Sequence, residues 1–475
     1  MDTTPITPTR STCPYCGVGC GVTLAPDGAG GLAVKGDAEH PANFGRLCSK
    51  GSALGETVGL AERLLAPRVN GAEATWDAAL ALVAARFTEA IARHGPDSVG
   101  LYVSGQLLTE DYYVANKLMK GFIGSANIDT NSRLCMASTV AGHRRAFGTD
   151  TVPGTYADLD QADLVVLVGS NLAWCHPVLH QRVLAARKAR GTRIVVIDPR
   201  RTATCEGADL HLALTPGSDV ALFNRLLAAI HEGGAVDTGY LRHVDGFDAA
   251  LAAASAEDGV PSGLSEAQIA EFCRLWMGTE KVVTVFSQGV NQSTSGSDKV
   301  NAILNCHLAT GRIGKPGMGP LSVTGQPNAM GGREVGGLAN MLACHLELEN
   351  PDHRAAVRGF WGGPTVADKQ GLKAVDMFRA AGDGRLKALW IVHTNPAVSM
   401  PEANAVRDAL EACDFVVVSD ITERTDTARL ADVLLPATAW AEKDGTVTNS
   451  DRWISRQRAA LPAPGQARPD WDILA

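Results

Sequence analysis

Four cysteines near the start of the chain constrain its fold more than any other feature. Cys13, Cys16, Cys20 and Cys48 form the pattern C-x2-C-x3-C-x27-C. Four thiolates suit either a tetrahedral zinc ion or an iron-sulfur cluster. The uneven spacing of the first three favours a 4Fe-4S cluster. The segments GVTLAP and LAVKGD predict short antiparallel strands, hence a small domain folded around its metal.

The rest of the composition is that of an ordinary globular protein. The chain has 475 residues, 45% hydrophobic and 20% charged, with a formal net charge of -8. This charge disfavours nucleic acid and anionic membranes as partners. The N-terminal segment MDTTPITPTRSTC lacks a leader's apolar core, and no stretch reaches the length of a membrane span. We therefore expect a cytoplasmic protein with reduced cysteines, no nucleic-acid partner and no membrane partner.

Beyond residue 54, apolar strands alternate with amphipathic helices, which predicts an α/β fold with mainly parallel sheets. One helix is predicted from Trp76 to His94, capped by Thr75, with a core stripe that includes Ala84. Each strand runs into a loop of small or polar residues, where ligands of parallel sheets bind. These strand segments span 99–106, 164–171, 193–200, 282–289, 388–396 and 415–420.

The loops predict a ligand with phosphates, ribose and purine edges, but no standard nucleotide motif is present. Neither G-x-G-x-x-G after a strand nor G-x4-G-K-[ST] occurs. The glycine-rich run 321–337 is either a flexible linker or a segment that approaches a bulky ligand closely. Its spaced polar residues favour the second interpretation.

Cys135 is the candidate for a reacting metal ligand. It lies in the first turns of a helix predicted to be capped by Ser132, where the helix dipole favours a thiolate. The pattern favours a soft metal ligand over a nucleophile, although His143 lies two turns further on. The six cysteines outside these two sites are predicted to be inert core residues: Cys175, Cys205, Cys273, Cys306, Cys344 and Cys413.

The motifs together resemble those of the molybdopterin oxidoreductases. They comprise the cysteine pattern, Lys50, SRLCMAS around Cys135, GSNLAWCHP, VIDPR, TPGSD, GQPNAMGGREVGG and HTNP. The SRLCMAS and GSNLAWCHP segments look most like assimilatory nitrate reductases. Formate dehydrogenases of this family typically carry His where Met136 stands here. The resemblance runs from Cys13 to the last residue.

The resemblance implies two cofactors, a 4Fe-4S cluster and molybdenum bis(molybdopterin guanine dinucleotide). Cys135 would ligate molybdenum with Met136 beside it, and Lys50 would lie between cluster and pterin. Arg333 or Arg144 would attract an anionic substrate or bind phosphates. One guanine nucleotide would be held by Asp198, Arg200, Gly217 and Asp219, and the other by Ser419, Asp420, Lys443 and Asp470. Further cofactor contacts would come from Gln106, Asn131, Gly169, Ser170, Asn171, Trp174, His176, Gln288, Gln326, Met330 and Asn395.

The implied architecture is a small N-terminal 4Fe-4S domain on two doubly wound, mainly parallel-sheet domains. The cluster domain would span 9–66, one pterin-binding domain 67–130 and 326–475, and the other 131–325. The family's C-terminal β-barrel domain is expected to be absent.

The implied activity is reduction of nitrate to nitrite by two-electron oxygen-atom transfer. Electrons would come from a redox donor such as ferredoxin, flavodoxin or an NADH-linked flavoprotein subunit. Three alternatives stay open: formate dehydrogenase or another oxoanion oxidoreductase of the same family, a non-catalytic iron-sulfur electron-transfer subunit, and a structural zinc protein.

Overall fold

The computed structural model describes residues 8–256 and 261–475. Its strands are β1 (Thr9–Thr12), β2 (Gly21–Pro26), β3 (Leu32–Gly36), β4 (Arg68–Val69), β5 (Ala72–Glu73), β6 (Val99–Val103), β7 (Ile128–Thr130), β8 (Leu164–Val168), β9 (Arg193–Ile197), β10 (Leu210–Leu212), β11 (Val282–Phe286), β12 (Gly319–Ser322), β13 (Ala388–Val392), β14 (Val416–Asp420), β15 (Val433–Pro436), β16 (Gly445–Thr448) and β17 (Ile454–Gln457).

The α-helices are α1 (Ser49–Ser52), α2 (Trp76–His94), α3 (Thr109–Asn116), α4 (Ser132–Phe147), α5 (Tyr156–Gln161), α6 (Leu172–Cys175), α7 (Pro177–Arg190), α8 (Asp219–Glu232), α9 (Phe247–Ser255), α10 (Glu266–Met277), α11 (Gln288–Asn291), α12 (Gly296–Ala309), α13 (Ala329–Glu334), α14 (Pro351–Trp361), α15 (Ala374–Gly382), α16 (Pro396–Ser399), α17 (Ala403–Ala412) and α18 (Asp470–Leu474). A π-helical stretch spans Lys117–Ile123, and 3-10 turns span Leu54–Val58, Pro96–Ser98, Ala203–Gly207, Tyr240–His243, Ala343–His345 and Ala428–Leu430.

The N-terminal sheet confirms the small antiparallel domain. Strand β2 pairs with β1 on one side and β3 on the other, both antiparallel. Strands β2 and β3 match the predicted segments, whereas β1 was not predicted. The hairpin of β16 and β17 packs onto β1 although it lies more than 400 residues further along. The predicted absence of a leader concerns in part residues 1–7, which lie outside the described residues.

A five-stranded sheet with the order β10-β9-β8-β11-β12 is parallel throughout. Alternate residues of β8 enter two different cores, as the two-residue period of a strand requires. Leu164, Val166 and Val168 pack with α8, α10 and α12. Val165 and Leu167 pack with α5, α7 and the cluster domain. Burial on both faces explains why LVVLV is continuously apolar.

A seven-stranded sheet has the order β5-β4-β15-β14-β13-β6-β7. Its five strands from β15 to β7 are parallel, and the short hairpin of β4 and β5 adds an antiparallel edge. One face packs against α2 and the other against α15 and α17. All six predicted strand segments are therefore confirmed as parallel strands. Five of them are shorter than predicted because the loop residues at the carboxyl end are not part of the strand, whereas β14 ends at Asp420 as predicted and begins one residue later.

Helix α2 begins and ends as predicted, and the Thr75 hydroxyl accepts a hydrogen bond from Ala78 N at 3.2 Å. Ala84 was wrongly assigned to its core stripe, since it is exposed. The linker interpretation of 321–337 is also wrong. This run contains the end of β12 and all of α13, and most of its residues are buried.

The two large sheets fall inside the two ranges predicted for the pterin-binding domains, while the domain boundaries themselves stay a prediction. In the described ranges, none of the helices combines the length and the apolar character that crossing a membrane requires.

Candidate functional site

Cys13, Cys16 and Cys20 lie on the loop between β1 and β2, and Cys48 precedes α1. The loop closes on itself, with Cys13 N donating to Cys20 O at 2.8 Å and Gly19 N to Cys16 O at 3.1 Å. Burial, with smaller contributions from the neighbouring thiols Cys16 and Cys48, raises the pKa of Cys13 to about 12. Burial also raises the pKa of Cys16 and Cys20. Such thiols ionise readily only with a bound metal, so this donor set fits a metal cluster.

The arrangement disfavours the structural-zinc alternative. Zinc requires its four ligands around one ion. Within residues 8–256 and 261–475, no three His, Cys, Asp or Glu side chains are grouped so that they could hold a single ion. An iron-sulfur cluster spreads its cysteines over several irons, so it does not need that grouping.

Lys50 lies near the cysteines, while its predicted place between cluster and pterin stays a prediction. Its ammonium group lies 5.8 Å from the centre of the Tyr15 ring. Its charge counteracts part of the pKa increase that burial gives Cys13 and Cys16. Lys50 also acts on His176, whose pKa burial lowers to about 4. Lys50 is therefore within electrostatic reach of both the cysteines and the loop that carries His176.

The cysteine loop is held by residues far along the chain. Gly17 O accepts hydrogen bonds from the Tyr156 hydroxyl at 2.8 Å and from Ser450 N at 2.9 Å. Asn449 Nδ2 donates to Val18 O at 3.1 Å. The β16–β17 hairpin and α5 therefore fix the loop that would hold the cluster.

Cys135 is half-buried near the start of α4, and the helix is distorted immediately after it. Met136 has non-helical angles (φ -136°, ψ 20°), so Cys135 ends a first turn that is offset from the rest of α4. The residue that precedes the helix is Asn131, which corrects the predicted cap at Ser132. The Ser132 hydroxyl instead donates to Gln326 Oε1 at 2.5 Å, because the Gln326 segment crosses the helix start.

Cys135 opens onto a cavity of about 430 Å³ lined mostly by polar side chains. Four predicted cofactor residues, Gln106, Asn131, Gln326 and Asn395, line it. Gln326 Nε2 donates to Asn131 Oδ1 at 2.7 Å, and the Ser104 hydroxyl donates to Gln106 Oε1 at 2.6 Å. The cavity also includes Tyr102, Leu134, Gln292, His393, Thr394, Val398 and Ser399. The structure thus brings together side chains from 106, 131, 326 and 395 around the thiol.

Arg333 does not line this cavity, and its charge is already paired. Its guanidinium group binds both carboxylate oxygens of Asp150, with Nε at 2.7 Å, and its Nη1 lies 3.1 Å from Met330 Sδ. Burial opposes ionisation of Asp150, but the Arg333 charge outweighs it and lowers the pKa of that carboxyl group. Arg144 pairs with Glu347 at 2.8 Å. Neither arginine is placed as a free charge for an anionic substrate, and that role stays a prediction.

The loops after the five-stranded sheet contain buried polar atoms without partners among the described residues. These atoms are Ser170 Oγ, His176 Nδ1 and Thr202 Oγ1. The other ring nitrogen of His176 contacts Thr324 O at 2.7 Å. Buried polar groups are normally hydrogen-bonded, so three orphaned groups in neighbouring loops fit a bound polar ligand. We call Gly169–His176 with Thr202 the first arm. Sequence analysis missed Thr202, although it follows the quoted VIDPR motif by two residues.

Gly169 needs to be glycine. Its φ is +51°, and a Cβ there would lie 2.7 Å from Gly289 Cα. Asn171 Oδ1 accepts a hydrogen bond from Thr204 at 2.7 Å, while Trp174 is 67% exposed.

Asp219 does not present a free carboxylate, because it forms a buried ion pair with Lys299 at 2.6 Å. Asp198 accepts a hydrogen bond from Arg200 N at 2.9 Å. Gly217 has φ +95° and open space beside it. Lys299 lies on α12, far from Asp219 in sequence, so no local pattern indicated this pair.

At the seven-stranded sheet, the predicted residues bind one another. Lys443 Nζ lies 2.9 Å from Asp470 and 3.5 Å from Asp111, and all three are buried. Burial alone would lower the pKa of Lys443, but the two carboxylates outweigh it and raise that pKa. We call Asp111, Lys443 and Asp470 the buried triad. Sequence analysis missed Asp111 because α3 meets α18 only in the folded chain.

Some of the polar side chains around the buried triad have hydrogen-bond partners and others do not. Ser419 Oγ accepts a hydrogen bond from Trp390 Nε1 at 2.9 Å, and Asn395 Oδ1 accepts from the Thr427 hydroxyl at 2.7 Å. Burial raises the pKa of Asp420 to about 6. His393 Nδ1 and Asp470 Oδ1 are buried without hydrogen-bond partners among the described residues. The charges of the triad are therefore largely paired, while single polar atoms beside Lys443 are not.

Two of the six cysteines predicted as core are exposed, Cys175 and Cys344. Cys175 ends the short helix α6 beside exposed Trp174, and Cys344 lies in a turn with φ +57°. The other four are buried, which confirms their predicted place.

Two families match the chain. Residues 6–59 match the molybdopterin oxidoreductase Fe4S4 domain, and residues 63–475 match the molybdopterin oxidoreductase family. The chain is 57% identical to a nitrate reductase of Klebsiella oxytoca over 99% of its own length and 54% of the relative. It is 52% identical to a nitrate reductase of Shewanella frigidimarina over 97% of its length and 51% of that relative.

The chain therefore spans about half the length of these curated relatives. Among solved structures, acetylene hydratase from Pelobacter acetylenicus superimposes with a TM-score of 0.80 at 18% identity, covering 98% of this chain and 68% of that one. This match concerns the fold alone.

Proposed function

The chain belongs to the molybdopterin oxidoreductase family, and we propose that it reduces nitrate to nitrite by two-electron oxygen-atom transfer. Family membership confirms the prediction of a 4Fe-4S cluster and a molybdopterin cofactor. The bis(guanine dinucleotide) form of that cofactor, the assimilatory role and the cytoplasmic location belong to the proposal. So do the redox donor and the predicted domain boundaries.

The observation that carries the proposal is the Cys135 thiol opening onto a cavity of about 430 Å³ that is lined by amide side chains. A cavity of this kind accommodates a small polar anion next to a metal. When bound, molybdenum supplies the oxygen-atom transfer chemistry, and the protein binds and orients it. We assign Cys135 as the metal ligand because its thiol lines this cavity. The nitrate reductase names of the similar proteins support nitrate as the substrate.

The other residues receive roles from where they lie. Gln106, Asn131 and Gln326 form one hydrogen-bonded group at the cavity and would orient cofactor or substrate through their amides. The first arm would hold one nucleotide of the cofactor through Ser170, His176 and Thr202. Lys50 would lie on the path of electrons from the cluster, because it is within electrostatic reach of both the cysteines and His176.

The proposal is tested on the complete polypeptide that contains this chain, purified anaerobically. We expect about four irons and about one molybdenum per chain, and nitrite formation from nitrate with reduced viologen. Cys135→Ala should retain iron but lose nitrite formation, whereas Cys48→Ala should lose iron. The control Cys344→Ser changes an exposed thiol outside both sites and should keep both metals and turnover. Undiminished nitrite formation by Cys135→Ala would refute the proposal.

A further inference from the structure

Gln288 contacts the sulfur of the proposed metal ligand directly. Its Nε2 lies 3.0 Å from Cys135 Sγ. Gln288 begins α11 immediately after β11, separated from it only by Ser287. The contact therefore comes from the rigid carboxyl end of a parallel strand, not from the helix that carries Cys135. Across the described ranges, no other side chain donates a hydrogen bond to this sulfur.

The Gln288 amide presents its NH2 group to the sulfur. Its Oε1 lies on the other side, next to the Ser287 hydroxyl. The Ser287 Oγ also lies 3.2 Å from Val323 O, a contact that places Ser287 against the segment that follows β12. The amide nitrogen, and not the amide oxygen, is therefore the atom held against Sγ.

The backbone opposite this contact leaves room for it. A Cβ at Gly325 would lie 3.4 Å from Gln288 Nε2 and 3.9 Å from Cys135 Sγ. Both distances are ordinary van der Waals contacts, so the Gly325 backbone packs beside the two atoms without displacing them. Three segments from different parts of the chain, carrying Cys135, Gln288 and Gly325, thus converge on one N–H···S contact.

We propose that Gln288 is a positioning residue that donates a hydrogen bond to the metal-bound Cys135 thiolate and thereby raises the reduction potential of the bound molybdenum. This inference rests on the proposed function in one respect, that Cys135 ligates the metal. A donor at the sulfur withdraws electron density from the thiolate, so the sulfur gives less to the metal. The more electron-rich, reduced state is then stabilised.

Gln292 provides a matched control four residues further on. It lines the same cavity, but its Nε2 donates to Leu134 O at 2.9 Å and not to the sulfur. The same change, Gln→Leu, removes one amide group from the neighbourhood of Cys135 at either position. Only the change at 288 removes the donor to Cys135.

The test is a redox titration of the molybdenum(V) EPR signal in the metal-loaded complete polypeptide. Gln288→Leu should shift the molybdenum midpoint potentials to lower values and alter the molybdenum(V) spectrum, while the signal of the iron-sulfur cluster stays unchanged. Gln292→Leu should leave all of these as in the wild type. Gln288→Glu has nearly the same shape but replaces the donor with oxygen, so it should lower the potentials at least as much.

Wild-type molybdenum potentials and spectrum in metal-loaded Gln288→Leu and Gln288→Glu would overturn this inference. The proposed function fails differently, since it requires that Cys135→Ala lose nitrite formation. Undiminished nitrite formation by that variant would contradict the role of Cys135, whatever the Gln288 variants show.

Discussion

The loops at the carboxyl ends of the two large sheets differ in whether they pair buried charges within the chain. After the five-stranded sheet, Ser170, His176 and Thr202 keep buried atoms without partners among the described residues. After the seven-stranded sheet, one Asp470 oxygen is unpartnered too, but Lys443 forms ion pairs with both Asp111 and Asp470. The first arm therefore leaves neutral polar groups without partners, whereas the buried triad neutralises much of its own charge. Polar residues at a strand end therefore do not by themselves indicate a ligand.

The largest expected effect comes from breaking the buried triad. Lys443→Met leaves two buried carboxylates without their cation, which should lower the free energy of unfolding by about 3–5 kcal/mol in urea denaturation. The matched control is Lys369→Met, which removes an exposed pair with Asp97 and should cost less than about 1 kcal/mol. Equal losses for the two variants would show that the triad is not a structural unit.

Asp420, at the carboxyl end of β14 in the same sheet, should make the stability of the chain depend on pH. In the folded chain it keeps its proton up to about pH 6, whereas its ordinary pKa is 3.8. The free energy of unfolding should therefore fall as pH rises through that window, by up to about 3 kcal/mol. Asp420→Asn should remove this dependence and stabilise the chain at pH 7. Exposed Asp414→Asn serves as the control, and the same slope in Asp420→Asn and wild type would contradict the assignment.

Gly169→Ala tests the tight backbone at the first arm. The added methyl group meets Gly289 and the residue keeps a positive φ, so we expect a loss of about 2–4 kcal/mol in unfolding free energy. Gly191 also has a positive φ (+75°) but open space around it. Gly191→Ala should cost only about 1 kcal/mol, from the backbone alone. Similar costs at both positions would mean that the close approach to Gly289 relaxes easily.

Replacing one serine at each sheet compares the two sheets most directly. These two variants have the smallest expected effects on the free energy of unfolding. Ser419→Ala leaves the buried Trp390 N–H without its acceptor and should cost about 1–3 kcal/mol. Ser170→Ala removes an unsatisfied hydroxyl, so the cofactor-free chain should be unchanged or more stable by about 1 kcal/mol. Thermal and urea unfolding of both variants decide this. A large loss in cofactor-free Ser170→Ala would contradict the open state of the first arm.

Much of the fold could be predicted from local sequence patterns. The six strand segments and α2 follow from runs of adjacent residues, since burial on both sheet faces requires continuous apolar stretches. The cluster cysteines lie together, as their spacing indicates. The cap of α4 was misassigned because Asn131, Ser132 and Gln326 compete for hydrogen bonds that depend on a segment almost 200 residues away.

Sequence could not reveal pairings between distant charges. Arg333 binds Asp150 across 183 residues, and Lys443 meets Asp111 across 332. An arginine or aspartate in a family motif looks the same whether its charge is free or neutralised by a partner. Family resemblance therefore located the residues around the site but not which of them keep a free charge.

The support of the cysteine loop has a consequence for how the protein is made. Gly17 O is held by Ser450, which is synthesised 433 residues later. At about 5–20 residues per second, translation of that stretch takes roughly 20 to 90 s. Throughout that time the loop of Cys13, Cys16 and Cys20 lacks the hydrogen bonds that the β16–β17 hairpin later supplies. The cluster can therefore be inserted during a long interval of synthesis, and in the same interval the free thiols are open to oxidation.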